Sequence, residues 1–100
     1  LVSSRGSGRK SLTDLTRQVK IVNELGLHAR AAAKIAKLAQ KARSTVWISA
    51  GDDPADASSV IDILSLACPK GSSLTIFVDD PSDRDILEAI VELVNDGFEE

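Results

Sequence analysis

The chain is poor in the residues on which disulfide and metal chemistry depend: its 100 residues include one cysteine, Cys68, and one histidine, His28. A lone cysteine cannot build an internal disulfide framework, and one thiol with one imidazole cannot supply the soft or imidazole ligands of a zinc site. No metal and no cofactor are therefore expected, and a reducing compartment, the cytoplasm, is. No apolar run approaches the ~20 residues that span a bilayer, and the N-terminal stretch lacks the apolar core of a secretory signal, so no membrane association is expected. A basic excess is missing too: a net charge of -3 and a pI near 5.1 argue against nucleic-acid binding. What is present, 43% apolar and 27% charged residues, fits one soluble globular domain.

The charges are segregated. Between Val19 and Arg43 six basic residues (Lys20, Arg30, Lys34, Lys37, Lys41, Arg43) meet one acid, Glu24, whereas from Asp79 onward nine acids accompany only Arg84. One helix is thus basic and another acidic. The opening Leu1-Val2-Ser3-Ser4-Arg5-Gly6-Ser7-Gly8 has no apolar periodicity. It has the composition of a protease-site linker left from expression or of a natively disordered tail, so residues 1–15 are set apart from a folded domain at 16–100.

Thr16 to Asn23 reads as a short strand that ends in the turn cluster Asn23-Glu24-Leu25-Gly26. Ala29 to Ala42 follows as an amphipathic helix with Ala32, Ile35, Ala36, Leu38, Ala39 and Ala42 inward and Lys34, Lys37 and Lys41 on the opposite stripe. Ser44 to Ala50 alternates as a second strand, Gly51-Asp52-Asp53-Pro54 turns the chain, and Ala55 to Ala57 gives a third. Ser59 to Cys68 is read as a helix: Ser59 with Asp62 resembles a capping arrangement, and Ile63, Leu66 and Ala67 share a face. Ser72 to Val78 alternates as the last strand. Pro81-Ser82-Asp83 opens a final helix with Ile86, Ala89, Ile90, Leu93 and Val94 inward, closed by Gly97. The order β-α-β-β-α-β-α predicts an α+β fold, an open-faced two-layer sandwich of a four-stranded antiparallel sheet with three helices on one face. Trp47 and Phe77 fall out of phase with the aliphatic residues of their strands and are expected on the open face as a cross-strand pair.

One pentapeptide carries chemistry: Gly26-Leu27-His28-Ala29-Arg30, where the first strand hands over to the first helix. The free backbone N–H groups and positive dipole end of a helix N-terminus favour an anion. A neutral imidazole is a nucleophile toward phosphorus, and Arg30 can offer a planar donor fork to phosphoryl oxygens, while Gly26 permits the tight turn that presents the ring.

This stretch closely resembles the active-site signature of HPr, the histidine-containing phosphocarrier family of the bacterial phosphoenolpyruvate-dependent phosphotransferase system. The element order from about Val19 to Asn95, and the block Ser59-Val60-Ile61-Asp62-Ile63-Leu64-Ser65-Leu66 leading to Pro69-Lys70-Gly71, resemble it as well. The resemblance implies that His28 is phosphorylated on Nδ1, that Arg30 attends the phosphoryl group, and that the fold is the HPr-like sandwich. The family's usual proline after the arginine is Ala31 here, as in some nitrogen-branch relatives. Asp62 and the acidic loop at Asp52-Asp53 also depart from the common pattern.

Val60, Ile61 and Leu64 form an apolar surface that a small solvated helix would not normally expose; with Arg30, Lys34 and Lys37 as a basic rim, it suits docking of an acidic partner. Ser59 is read as an N-cap, and by resemblance as the serine that a regulatory kinase phosphorylates in some relatives. Cys68 is read as a packing residue. The function expected is a phosphoryl carrier, not an autonomous catalyst. It would be charged by an enzyme I-type donor and discharged to enzyme IIA-type acceptors, with a serine kinase/phosphorylase as a further partner and a monomeric state. The alternative is a regulatory, nitrogen-branch-type module whose phosphorylation state controls other proteins. A small hydrolase using His28 as general base is the weakest reading, because no nucleophile or second titratable group stands beside His28 in the sequence.

Overall fold

The structure, a computed structural model, describes residues 15–51 and 53–100. Residues 1–14 of the proposed 1–15 tail and Asp52 of the acidic loop lie outside the described residues, whereas Leu15 packs partly buried against the core. The elements in chain order are β1 (Thr16–Lys20), α1 (Ala29–Ala39), β2 (Val46–Ser49), β3 (Ala55–Asp56), α2 (Val60–Leu64), β4 (Ser73–Val78) and α3 (Arg84–Asn95). Single 3-10 turns occupy Pro81–Asp83 and Gly97–Glu99. The expected order is found, although most elements are a few residues shorter than the apolar patterns suggested.

The sheet runs β1-β4-β2-β3 with every neighbouring pair antiparallel. Its alternation decides which side is covered. Val19 stands opposite Leu74, Ile48 opposite Ile76 and Val46 opposite Val78, and all six side chains are buried beneath the helices. The open side carries Trp47 opposite Phe77, their rings stacked with centroids 6.4 Å apart. The Trp47 indole N–H donates to Asp79 at 3.1 Å, so the cross-strand pair expected on this face has its polar end satisfied.

Helix α1 buries Ala31, Ala32, Ile35, Ala36 and Ala39, small residues that let its backbone lie close to the layer beneath; Leu38 and Ala42 are only partly buried. Helix α2 is much shorter than the run Ser59 to Cys68. A residue before proline is driven out of the helical region, so the chain must unwind before Cys68-Pro69. It does so through Ala67 at φ 52°, which turns that side chain outward: Ala67, expected in the core, is exposed, and Leu66 is half-buried. Only Ile63 of α2 is fully buried.

The buried stripe of α3 is Leu87, Ile90 and Val94, rotated from the expected one. Leu87 takes the inner position, while Ile86, Ala89 and Leu93 flank it half-buried. Gly97 at φ 67° ends the helix as expected. Beyond it Phe98 folds back, also at positive φ, and is 0% exposed, a core residue outside every helical or strand period.

Asp83 is the one buried carboxylate among the described residues. Its two carboxylate oxygens accept from the backbone N–H groups of Arg43 and Ser44 at 2.8 and 2.9 Å, tying the loop after α1 to the start of α3. Nearby, the Ser82 backbone N–H donates to Asp80 and holds that carboxyl below its ordinary range. Replacing Asp83 by Ala strands two amide donors away from any acceptor. A loss of about 1–3 kcal/mol in denaturant-unfolding stability is expected, with Asp83→Asn losing less because one acceptor oxygen remains.

Candidate functional site

The site begins with a close backbone approach. After β1 the chain turns at Asn23-Glu24-Leu25-Gly26, with the Gly26 N–H donating to the Asn23 carbonyl at 3.2 Å and the Leu27 N–H to the Cys68 carbonyl at 2.9 Å. Gly26 has φ 68°, and a Cβ there would lie 2.6 Å from the Cys68 carbonyl oxygen. Only glycine satisfies both the backbone angle and the space. The turn therefore rests on the α2–β4 connection and delivers the next residue, His28, to the start of α1.

His28 is the N-cap of α1, with φ −86° and ψ 178°. Its Nδ1 accepts from the Arg30 backbone N–H at 3.2 Å, which places the ring proton on Nε2. Nε2 in turn donates to the side-chain carboxylate of Glu100, 72 positions later in the chain. The imidazole side chain keeps 22% of its surface exposed, and the first turn of α1 holds no acidic residue. An anion at Nδ1 would thus meet the free N–H groups of a helix N-terminus. The Arg30 guanidinium is exposed and makes no hydrogen bond among the described residues.

Two further residues complete the surroundings. The Asn23 side-chain amide donates to the Gly26 carbonyl at 2.8 Å and to Glu100 Oε1 at 3.1 Å. The Glu100 carboxyl lies below its ordinary range, chiefly through the hydrogen bond from His28, aided by Asn23 and by the charges of His28 and Arg30 and opposed by desolvation. Lys34 fastens the segment that carries Glu100: its Nζ donates to the Phe98 carbonyl at 2.6 Å and lies 3.5 Å from Glu99 Oε1. Glu100 is the titratable neighbour that the sequence around His28 lacks. Its sole signal would have been an acid near a chain segment with no other evident role. The hydrogen-bond partners of the His28 and Glu100 side chains still include no hydroxyl or thiol nucleophile.

The expected docking residues are only partly brought together. Ile61 and Leu64 are exposed, at 76% and 36%, and Leu25 of the site turn, at 70%, is an apolar neighbour in sequence to His28 that the patterns did not single out. Val60 instead packs half-buried against the core, which narrows the exposed face of α2. Lys34 is turned to the C-terminal segment and lines a groove with Lys37, Leu38, Lys41 and Leu93, between α1 and α3, rather than a rim around Ile61. Lys37 is exposed. Ser59 caps α2, its Oγ accepting from the Asp62 N–H at 3.3 Å. Burial pushes the Cys68 thiol up, as suits a packing residue. Among the described residues no cluster of His, Cys, Asp and Glu could hold a metal ion, and no helix is long and apolar enough to cross a membrane.

Comparison with known proteins agrees with this geometry. Residues 15–96 match the family model PTS-HPr, described as the PTS HPr component phosphorylation site. The chain is 37% identical over 86 residues to phosphocarrier protein HPr of Cupriavidus necator, covering 86% of this chain and 97% of that protein. It is 40% identical over 89 residues to phosphocarrier protein NPr of Shewanella violacea, covering 89% and 98%. Among solved structures, HPr-C-His of Thermoanaerobacter tengcongensis superposes with a TM-score of 0.76 at 30% identity, over 85% of this chain and 96% of that one. A helix-capping histidine on an open-faced sandwich, matched over most of the chain, places this protein in the HPr family of phosphocarriers, which carry phosphoryl groups rather than act as catalysts.

Proposed function

We propose that the protein accepts a phosphoryl group on Nδ1 of His28 from an enzyme I-type donor and passes it to enzyme IIA-type acceptors, acting as a monomer in the cytoplasm. The observation that carries this reading is the ring's placement as the cap of α1, with Nδ1 as the nitrogen that bears the lone pair and faces the helix N-terminus. In the forward step the Nδ1 lone pair attacks phosphorus, the Nδ1–P bond forms, and the donor–P bond breaks with its electron pair returning to the donor. The phosphoryl oxygens then meet the Arg30 N–H and its neighbours in the first turn, with the Arg30 guanidinium free to add a two-pronged contact. The partners supply the remaining stabilisation of the transferring group. Ser59, already committed as a cap, is a regulatory phosphorylation site for a serine kinase/phosphorylase, because a dianion there would sit at the start of the docking helix.

A second reading, a nitrogen-branch module that regulates partner proteins, is favoured by one observation: the NPr of Shewanella violacea is as similar to the chain as the HPr relatives are. Parallel phosphorylation assays with sugar-branch and nitrogen-branch donors separate the two by relative rate.

Incubation with enzyme I and labelled phosphoenolpyruvate should give an acid-labile, alkali-stable label, the signature of a phosphoramidate. His28→Ala should abolish it while costing about 1 kcal/mol of stability, the usual value of a helix cap. Labelling retained on another residue would overturn the assignment. Arg30→Lys keeps the charge but loses the planar fork, so transfer should slow by about tenfold, with Arg30→Ala slower still. Wild-type rates for the Lys variant, at low and high salt alike, would remove the positioning role of Arg30.

Docking has its own test. Ile61→Asp or Leu64→Asp should weaken partner binding by about tenfold or more while changing unfolding stability by roughly 0.5 kcal/mol or less, as for surface substitutions. Titration and thermal unfolding of the same variant check it, and loss of folding without selective loss of binding would count against an exposed docking face.

A further inference from the structure

Three observations around His28 are not accounted for by a histidine at a helix start. The Asn23 side chain is 7% exposed, and its Oδ1 is buried with no hydrogen-bond partner among the described residues, whereas its Nδ2 serves both the Gly26 carbonyl and Glu100. Turning this amide over would set Oδ1 against two acceptor oxygens, so the orientation is dictated by the groups that need a donor. An orphaned buried carbonyl is the cost of that choice. Next, Glu100 does not reach the ring by chance of a loose tail. Gly97, Phe98 and Glu99 all take positive φ, Phe98 is fully buried, and Lys34 holds its carbonyl, so the backbone bringing Glu100 to the ring is anchored on two sides. Lastly, a carboxylate has only acceptors to offer, and it faces Nε2 while the Arg30 N–H faces Nδ1.

We infer that Asn23 and Glu100 form a positioning pair that holds the His28 ring with its proton on Nε2, leaving the lone pair of Nδ1 at the helix N-terminus to receive phosphorus. This rests on the carrier reading above and adds residues that do not touch the phosphoryl group. Asn23 fixes one carboxylate oxygen, and the other accepts from Nε2–H. A neutral imidazole can carry its proton on either nitrogen, and only one arrangement leaves Nδ1 nucleophilic; the pair removes the unproductive one. The contact also tightens as the reaction proceeds. When the Nδ1–P bond forms and the donor–P bond breaks with its electron pair returning to the donor protein, the ring keeps its Nε2 proton and becomes a cation. Glu100 then opposes a full positive charge on the side of the ring away from the phosphoryl oxygens. An interaction that is stronger once charge has developed lowers the barrier rather than merely binding the ground state.

The arrangement is tested on the full chain, labelled with ¹⁵N in the imidazole, without any donor present. At a pH where the ring is neutral, the ¹⁵N shifts of wild type should report the Nε2–H tautomer. In Glu100→Ala the fraction carrying the proton on Nδ1 should rise by about tenfold, the factor expected for one hydrogen bond to a charged acceptor. Glu100→Gln keeps an acceptor oxygen and should hold the tautomer, yet it should transfer phosphoryl about tenfold more slowly because the opposing charge is gone. Asn23→Asp, which removes the donor and sets a second carboxylate beside Glu100, should shift the tautomer as Glu100→Ala does; the buried Phe98 ring reports folding of this variant. An unchanged tautomer ratio in Glu100→Ala would overturn the pair even if its transfer rate fell. Failure of wild type to label on His28, with the tautomer shift still seen, would overturn the carrier reading and leave the positioning pair standing.

Discussion

A sheet with one apolar face constrains everything above it. Val19, Leu74, Ile76, Ile48, Val46 and Val78 point to one side, so all three helices must lie there, and α1 can do so closely because four of its five buried residues are alanines. Closeness has a consequence at the end of the helix. The turn that feeds α1 is pressed onto the Cys68 backbone, where only Gly26 fits, and this fixes where the helix starts and thus where the His28 ring stands.

From that placement the chemistry follows by ordinary hydrogen-bond accounting. An N-cap has to satisfy a first-turn donor, and here the cap is an imidazole that gives Nδ1 to the task. A cap more often uses a short oxygen side chain. Using a ring instead leaves a second nitrogen to be satisfied, and Glu100 meets it. The same residue therefore caps a helix and holds a nucleophilic lone pair at the site where an anion is best received. The absence of acids from the first turn of α1 keeps that site open to an anion, while the acids of the chain gather on α3 and beyond.

Stability and function are shared out between different parts of the sandwich. Asp83 and Phe98 hold the helix layer together through buried contacts, whereas Ile61, Leu64 and Leu25 leave apolar surface in water. Spending apolar area in this way weakens a small domain, which has little core to spare. The exposed residues of α2 are the ones to which the proposed partner docking is assigned.

The amino-acid sequence by itself determined the element order, the buried faces of β2 and β4, the Trp47–Phe77 pair and the pentapeptide at the start of α1, because these depend on periodicity and on residues within a turn of one another. Its reach ended where distance in the chain grew. Ala67 turned outward because Pro69 forces the chain off the helix, and Leu87 took the inner position of α3 because helical periodicity alone does not choose between adjacent apolar stripes. Lys34 read as one cation of a basic rim, whereas the C-terminal segment folds back to engage it. Only the tertiary structure brought Asn23 and Glu100 to His28, since a carboxylate 72 positions away has no periodic or local signature and acquires its role from the reversal of the chain after Gly97.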